Sequence, residues 1–239
     1  MKCRQSIIKL KPGECNPWAC KHKFWNYKKV RYGIISVHPM PDSFDQARQK
    51  KQQLRQLAAG RRENQQDADL LSGKIWDKIR ALPEFVRAQT VMLYLDIGNE
   101  VRTREYVPEL WQQGKRVVVP YCMAHELRLF HLKNMDELIP GIWEILEPAA
   151  HWRANSERRV EATHLDLILV PGLAFDRRGD RLGWGKGYYD LLLQHVRPDA
   201  VKIALAFECQ LVEEIPVLPH DVRMNKVITE NAIYNANAC

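Results

Sequence analysis

Arg181-Leu182-Gly183-Trp184-Gly185-Lys186-Gly187-Tyr188-Tyr189-Asp190 decides the reading of this chain. Three glycines at alternate positions suit neither a helix nor a strand, where each would only lose backbone entropy. They suit a loop whose bare amides crowd round an anion. Lys186 adds a point charge inside that loop, and Arg181 a planar fork just before it. Upstream lie a hairpin-like stretch, Phe175 to Asp180, and an apolar strand, Leu167-Ile168-Leu169-Val170. Downstream, residues 188 to 196 read as a helix, so the loop opens a helix, where N–H groups and the dipole favour negative charge. The stretch is expected to cradle phosphate.

Two common phosphate motifs fail. The P-loop requires Gly, four residues, then Gly-Lys-Ser/Thr. Here Gly187 follows Lys186, and Asp180 stands where the first glycine belongs. The dinucleotide fingerprint Gly-x-Gly-x-x-Gly, started at Gly183, ends on Tyr188. The whole string is more specific than either. Together with Leu169-Val170-Pro171-Gly172-Leu173-Ala174-Phe175-Asp176 it closely resembles the 5-formyltetrahydrofolate cyclo-ligase family, also called 5,10-methenyltetrahydrofolate synthetases. The resemblance runs from about Asp45 to about Thr229, and residues 1 to 39 have no counterpart in it.

Outward from that string, strands alternate with helices. A helix is expected from about Phe44 to Ala59, ended by Gly60, with Lys51 and Arg55 four apart on one face. By themselves these two make a solvated basic face. A second helix is expected from about Asn64 to Leu82, with Leu70, Leu71, Ile75, Trp76 and Ile79 in the core. Thr90 to Leu95 reads as a strand ending in the loop Asp96-Ile97-Gly98-Asn99-Glu100, at the strand edge where open α/β sheets bind ligands. A helix from about Thr103 to Gln113 is closed by Gly114. Strands follow at 115–120 and 127–132. Residues 133 to 164 read as irregular, packed down by Trp143 and Trp152. His125, His131, His151 and His164 sit in no catalytic context. Further strands are expected at 165–170, 201–207 and 226–229, with Asp221 in the loop before the last. The pattern predicts a three-layer α/β/α domain with a mostly parallel, Rossmann-like sheet.

At 239 residues the chain has room for one domain with a sizeable core. Its net charge of +7 is localised. Residues 1 to 39 carry nine Lys/Arg against the single acid Glu14, a net of +8, and the rest holds 27 basic and 28 acidic residues, a net of −1. The domain is therefore nearly neutral, which argues against nucleic acid as a partner. No apolar run approaches the ~18 residues of a membrane span. The six cysteines show no paired spacing in the domain, which suits a reducing, cytoplasmic setting. Residues 1 to 39 are expected to be a disordered basic leader. A chain beginning at Met40 would have 200 residues and match the usual extent of the resembling family, so residues 40–239 are taken as the catalytic domain.

The resemblance implies an activity and a site. The implied reaction converts 5-formyltetrahydrofolate and ATP to 5,10-methenyltetrahydrofolate, ADP and phosphate, with Mg²⁺ as cofactor and a monomer expected. It places Arg181, Leu182, Gly183, Trp184, Gly185, Lys186, Gly187, Tyr188 and Tyr189, with Lys51 and Arg55, on ATP. Lys186 and Arg181 are the implied catalytic cations. Leu95 and Glu100, with Trp184, Gly185, Lys186, Gly187 and Tyr188, fall on the folate, whose pterin N–H and amino donors a carboxylate can accept. Asp190 and Asp221 match the metal ligands; on its own, Asp190 is simply a first-turn acid suited to the helix dipole. Trp184 departs from the family, since some relatives carry a basic residue there. Of Trp184, Tyr188 and Tyr189, at least one tyrosine is expected in the core. The alternatives are a non-catalytic folate- or phosphometabolite-binding relative and a different ATP-dependent kinase or ligase. The first is opposed by the joint presence of Lys51, Arg55, Glu100, Lys186, Asp190 and Asp221, the second by the folate-side residues alone.

Overall fold

The computed structural model describes residues 42–236 apart from 125, 142 and 143. The expected leader, His125 and Trp143 lie outside the described residues. In chain order the elements are α1 (Asp42–Glu63), α2 (Ala68–Arg80), α3 (Pro83–Arg87), β1 (Thr90–Met92), α4 (Val107–Gln112), β2 (Arg116–Met123), β3 (Glu126–Leu132), β4 (Leu138–Pro140), β5 (Leu146–Pro148), α5 (Ala150–Arg153) and β6 (Arg159–Val160). Then come β7 (Leu167–Val170), β8 (Ala174–Phe175), β9 (Arg181–Leu182), α6 (Tyr188–Leu193), β10 (Val201–Leu205), β11 (Lys226–Ile228) and β12 (Ile233–Asn235).

The main sheet has the order β12-β11-β10-β7-β1-β2-β3-β6. Its five central strands, β11 to β2, are mutually parallel. The outer strands β12, β3 and β6 run antiparallel to their neighbours. Strand periodicity of two explains the layers. Val91, Val117, Leu167, Leu169 and Ile203 face one core with Ile75, Trp76 and Ile79 of α2 and Val107 and Leu110 of α4. Met92, Val118, Ile168, Val170 and Ala204 face the other with Leu192 and Leu193 of α6. Strands buried on both faces read as continuous apolar runs, as 167–170 does.

Four sequence expectations change. α1 does not stop at Gly60 but continues to Glu63. A glycine there costs about 1 kcal/mol against alanine, and the buried contacts of Arg62, described below, offset it. The helix expected over 64–82 is the shorter α2, with residues 64–67 outside it, and Pro83 opens a separate short helix, α3, at its first turn, where a missing N–H costs nothing. Leu70 is 64% exposed on α2, outside the stripe set by Ser72, Ile75, Trp76 and Ile79. Residues 133–164 are largely ordered. They carry the β4–β5 hairpin, and β6 with its preceding turn is fixed by the buried Arg158–Glu137 ion pair.

Candidate active site

Strand order places the site. The chain leaves β1 toward β2 on one side, and leaves β7 toward β10 on the other. The carboxyl ends of β1 and β7 thus flank the point where the sheet reverses direction, the usual ligand crevice of open α/β sheets. Residues 93–100 follow β1; Pro171, Gly172 and the glycine loop follow β7.

The glycine loop is presented by a hairpin. β8 and β9 pair antiparallel. Asp176, fully buried, organises their turn: Oδ1 accepts from the Arg178 and Asp180 N–H groups, each at 3.0 Å, and Oδ2 accepts from Ile215 N–H at 3.0 Å. Arg181 and Leu182 are buried, while residues 184–187 are exposed. Two of the glycines lie close against arginine side chains. A Cβ on Gly183 would come within 2.7 Å of Arg181 Nη1. Gly185 sits at φ +88°, and a Cβ there would meet the Arg55 guanidinium at 3.2 Å. Gly187 caps α6, which is only six residues long. Anion attraction at this loop therefore rests on its amides and neighbouring cations more than on a helix dipole.

α1 supplies those neighbours. Arg55, half-buried, donates through Nε to the Gly183 carbonyl at 2.9 Å, and the buried Lys51 pairs with Asp221. Burial lowers the Arg55 pKa, with the charge of Asp221 opposing it. Asp221 Oδ2 also accepts from Leu218 N–H at 2.6 Å. Arg181 Nη2 bonds Asp190 Oδ2 at 2.9 Å, and its guanidinium lies 5.5 Å from the centre of the Tyr189 ring. Asp190 Oδ1 accepts from Val222 N–H at 3.3 Å, which brings Asp190 beside the Asp221 loop. A second clamp holds that loop: Arg223 donates to both carboxylate oxygens of Asp180, at 2.9 and 3.1 Å.

Glu100 lies in the loop after β1. Its Oε1 accepts from Arg62 Nη1 at 3.1 Å and its Oε2 from Ile97 N–H at 3.3 Å. Burial raises its pKa, and Arg62 opposes the shift. Its loop is held by Asp96, which accepts from Thr103 N–H at 2.9 Å and Arg104 N–H at 2.8 Å. Leu95 is buried in the α2-side core. Burial also drives the Tyr189 hydroxyl pKa far upward, with Glu100 adding to the shift. Tyr188 is half-buried, Trp184 is 38% exposed, and Lys186 is exposed at the loop tip.

The structure thus gathers Lys51, Arg55, Arg181, Asp190, Asp221 and the glycine loop, with Glu100 in the loop after β1. It adds Arg62, which sequence reading missed. Positions 51, 55 and 62 share one helical face, so carrying the period past Gly60 would have exposed it. As a metal site the donor set is spare. Among the described residues no group of three or more His, Cys, Asp or Glu could hold an ion. Asp190 and Asp221 nevertheless fit Mg²⁺, which commonly takes one or two carboxylates and draws its other ligands from water and phosphate.

A switch point of an α/β sheet furnished with cations, glycine amides and two carboxylates has the make-up of an enzyme site. Sequence comparison specifies which kind. Residues 47–230 match the 5-formyltetrahydrofolate cyclo-ligase family, and the chain belongs to that family. It is 32% identical to 5-formyltetrahydrofolate cyclo-ligase of Mus musculus over 194 residues, covering 76% of this chain and 90% of that one. It is 30% identical to the Escherichia coli K12 enzyme of the same name over 161 residues, covering 66% and 86%. The NMR structure of Aquifex aeolicus 5,10-methenyltetrahydrofolate synthetase superposes with a TM-score of 0.69 at 31% identity, covering 79% of this chain and 94% of that one. A Mycoplasma pneumoniae 5,10-methenyltetrahydrofolate synthetase, at 24% identity and a TM-score of 0.60, shares the fold over 75% of this chain and 98% of its own.

Proposed function

We propose that this chain closes 5-formyltetrahydrofolate to 5,10-methenyltetrahydrofolate at the expense of ATP. The observation that carries the reading is the contact of Arg55 with Gly183, beside the Lys51–Asp221 pair. It closes α1 cations over the glycine loop, with the buried Glu100 carboxylate in the loop after β1.

The chemical need is specific. An N-formyl group is a poor electrophile, and its oxygen a poor leaving group. Attack of that oxygen on the γ-phosphorus expels ADP and gives a phosphorylated imidate. N10 then bonds to the formyl carbon, the C–O bond breaks, phosphate departs, and N10 loses its proton as the five-membered ring closes. Phosphoryl transfer needs positioning and charge neutralisation more than covalent help. Lys51, Arg55, Arg181 and Lys186 supply that charge, and the amides of the glycine loop hold the triphosphate. Trp184, Gly185, Lys186, Gly187 and Tyr188 also border the space for the folate, with Leu95 beneath it and Glu100 accepting from the pterin edge. Holding N10 against the formyl carbon gives ring closure an intramolecular advantage. Asp190 and Asp221 would hold Mg²⁺, which neutralises phosphate charge when bound. Asp190 is oriented by Arg181 and Asp221 by Lys51.

A cytoplasmic setting and a monomeric enzyme complete the reading. An Arabidopsis thaliana relative, 33% identical over 155 residues, bears the name 5-formyltetrahydrofolate cyclo-ligase, mitochondrial. The deciding experiment incubates the full chain with Mg-ATP and 5-formyltetrahydrofolate and follows the near-ultraviolet absorbance of the methenyl product. Binding of both compounds without product would overturn the reading in favour of a non-catalytic relative.

A further inference from the structure

Arg62 is 7% exposed, a depth at which an arginine needs partners. It has three. Nη1 reaches Glu100 Oε1 at 3.1 Å and the Gly172 carbonyl at 3.3 Å, and the guanidinium carbon lies 5.6 Å from the centre of the Trp184 ring. Those partners come from the loop after β1, the segment after β7 and the glycine loop. The backbone around Arg62 is tied to the same place: Asn99 Nδ2 donates to the Arg62 and Glu63 carbonyls at 3.3 and 2.8 Å, closing the end of α1 onto the Glu100 loop. Gln210 Nε2 donates to Gly172 at 2.9 Å and so fixes the acceptor that Arg62 shares.

We infer that Arg62 is a positioning residue for the pterin end of the substrate, holding the Glu100 carboxylate aimed so that it accepts two N–H donors. The inference rests on the folate reading above. A carboxylate offers about four lone-pair directions. Arg62 and Ile97 N–H take one on each oxygen, leaving one on each for a two-donor edge. Without a cation beside it, a carboxyl this deeply buried favours its neutral form. One oxygen would then become a donor facing the pterin donors. The other titratable groups around Glu100 are Asp96 on its own loop, Tyr94 after β1, Tyr189 on α6 and Arg102, whose Nη1 lies 3.5 Å from the Glu100 backbone carbonyl and is drawn to Asp96. Arg62 is the cation bonded to the Glu100 carboxylate itself, whereas Arg102 reaches only its backbone. Because α1 also carries Lys51 and Arg55, the same rod sets the distance between the phosphate grip and the pterin grip.

The test compares Arg62→Met, Arg62→Lys, Glu100→Gln and the double variant Arg62→Met/Glu100→Gln in the full chain. Arg62→Met should raise the KM for 5-formyltetrahydrofolate, and its Kd without ATP, by roughly 10–100-fold, the scale of leaving a buried polar group wrongly paired. The KM for ATP should stay within about twofold and kcat should fall less than the folate KM rises, since the lost contact is uniform binding. Arg62→Lys should recover most of the loss. Because Arg62 acts through Glu100, the double variant should bind folate no more than about threefold worse than Glu100→Gln alone. Independent, multiplying losses would overturn the inference, as would an unchanged folate KM or equal rises in both KM values. If Arg62→Met does not fold, Arg62→Gln, which keeps donors and removes charge, takes its place with the same expected outcomes. A wild-type chain that makes no methenyl product overturns the folate reading itself; normal wild-type turnover with an indifferent Arg62 variant overturns only this inference.

Discussion

Arg55 Nε lies 2.9 Å from the carbonyl oxygen of Gly183, joining residues 128 apart in sequence. The contact fixes the glycine loop against α1 and leaves the rest of the guanidinium beside Gly185. On the ATP reading proposed above the contact holds the loop in its binding position, so two substitutions test it from opposite sides. Arg55→Ala should raise the KM for ATP about tenfold, with the folate KM nearly unchanged. Gly185→Ala forces a side chain into φ +88° and against the Arg55 guanidinium. It should cost about 1–2 kcal/mol of stability and raise the ATP KM as well. Steady-state kinetics in each substrate and a thermal melt measure both; equal effects on the two KM values would refute the loop's assignment to ATP.

Lys186 separates catalysis from folding. It is exposed at the loop tip. Lys186→Met should lower kcat by about 10²–10³, the scale of losing one electrostatic donor to the transition state, with the melting temperature unchanged. A fall in melting temperature without loss of turnover would make the loop structural.

Asp190 needs a gentler substitution than alanine. Its carboxylate is bonded to the buried Arg181, and removing one partner of such a pair leaves an uncompensated charge costing several kcal/mol. Asp190→Asn also removes the charge, but it keeps the side chain's shape and an oxygen that accepts from Arg181, so it costs less than alanine. It should abolish most Mg-ATP-dependent turnover and shift the Mg²⁺ concentration needed for half-maximal rate upward. An unshifted Mg²⁺ requirement would assign Asp190 to Arg181 alone.

Local chemistry explains what was legible beforehand. The doubly buried strands, Leu167 to Val170 above all, announce a parallel sheet because nothing else buries both faces of a short strand. The glycine string shows itself because three of its positions exclude Cβ or favour positive φ. Arg62 stayed hidden behind Gly60, since propensity ends a helix where tertiary contacts carry it on. The Asp180–Arg223 clamp joins residues 43 apart, and no spacing rule relates them. β12 was missed because it is short and polar at its end, and only its pairing with β11 makes it a strand.

That clamp makes its own prediction. Arg223 holds the Asp221 loop to the turn that launches the glycine loop. Arg223→Ala should leave the sheet intact, and cost stability by about 1 kcal/mol because half of the arginine is solvated. It should reduce kcat several-fold through the misplaced Asp221. Double-mutant cycles with Asp221→Asn should show coupling, and strict additivity would disconnect the clamp from the site.

His131 sets an acid limit on the fold. Burial lowers its pKa from 6.5 to about 4, and Arg116, Lys133 and Arg158 push in the same direction. The folded state thus holds the imidazole neutral where the unfolded chain would protonate it. Between pH 6.5 and about 4 the unfolded state binds the extra proton, so stability must fall as pH is lowered through that window. Above pH 6.5 both states are neutral, and the contribution is constant. His131→Gln, which cannot take up a proton, should flatten the melting-temperature profile within that window while leaving the slope at higher pH unchanged. Arg158 donates to the His131 carbonyl at 2.8 Å, a bond to the backbone that survives the substitution. The variant therefore isolates titration from loss of the surrounding strand contacts. If the variant and the parent lose stability in parallel from pH 6.5 downward, the sensitive group is elsewhere.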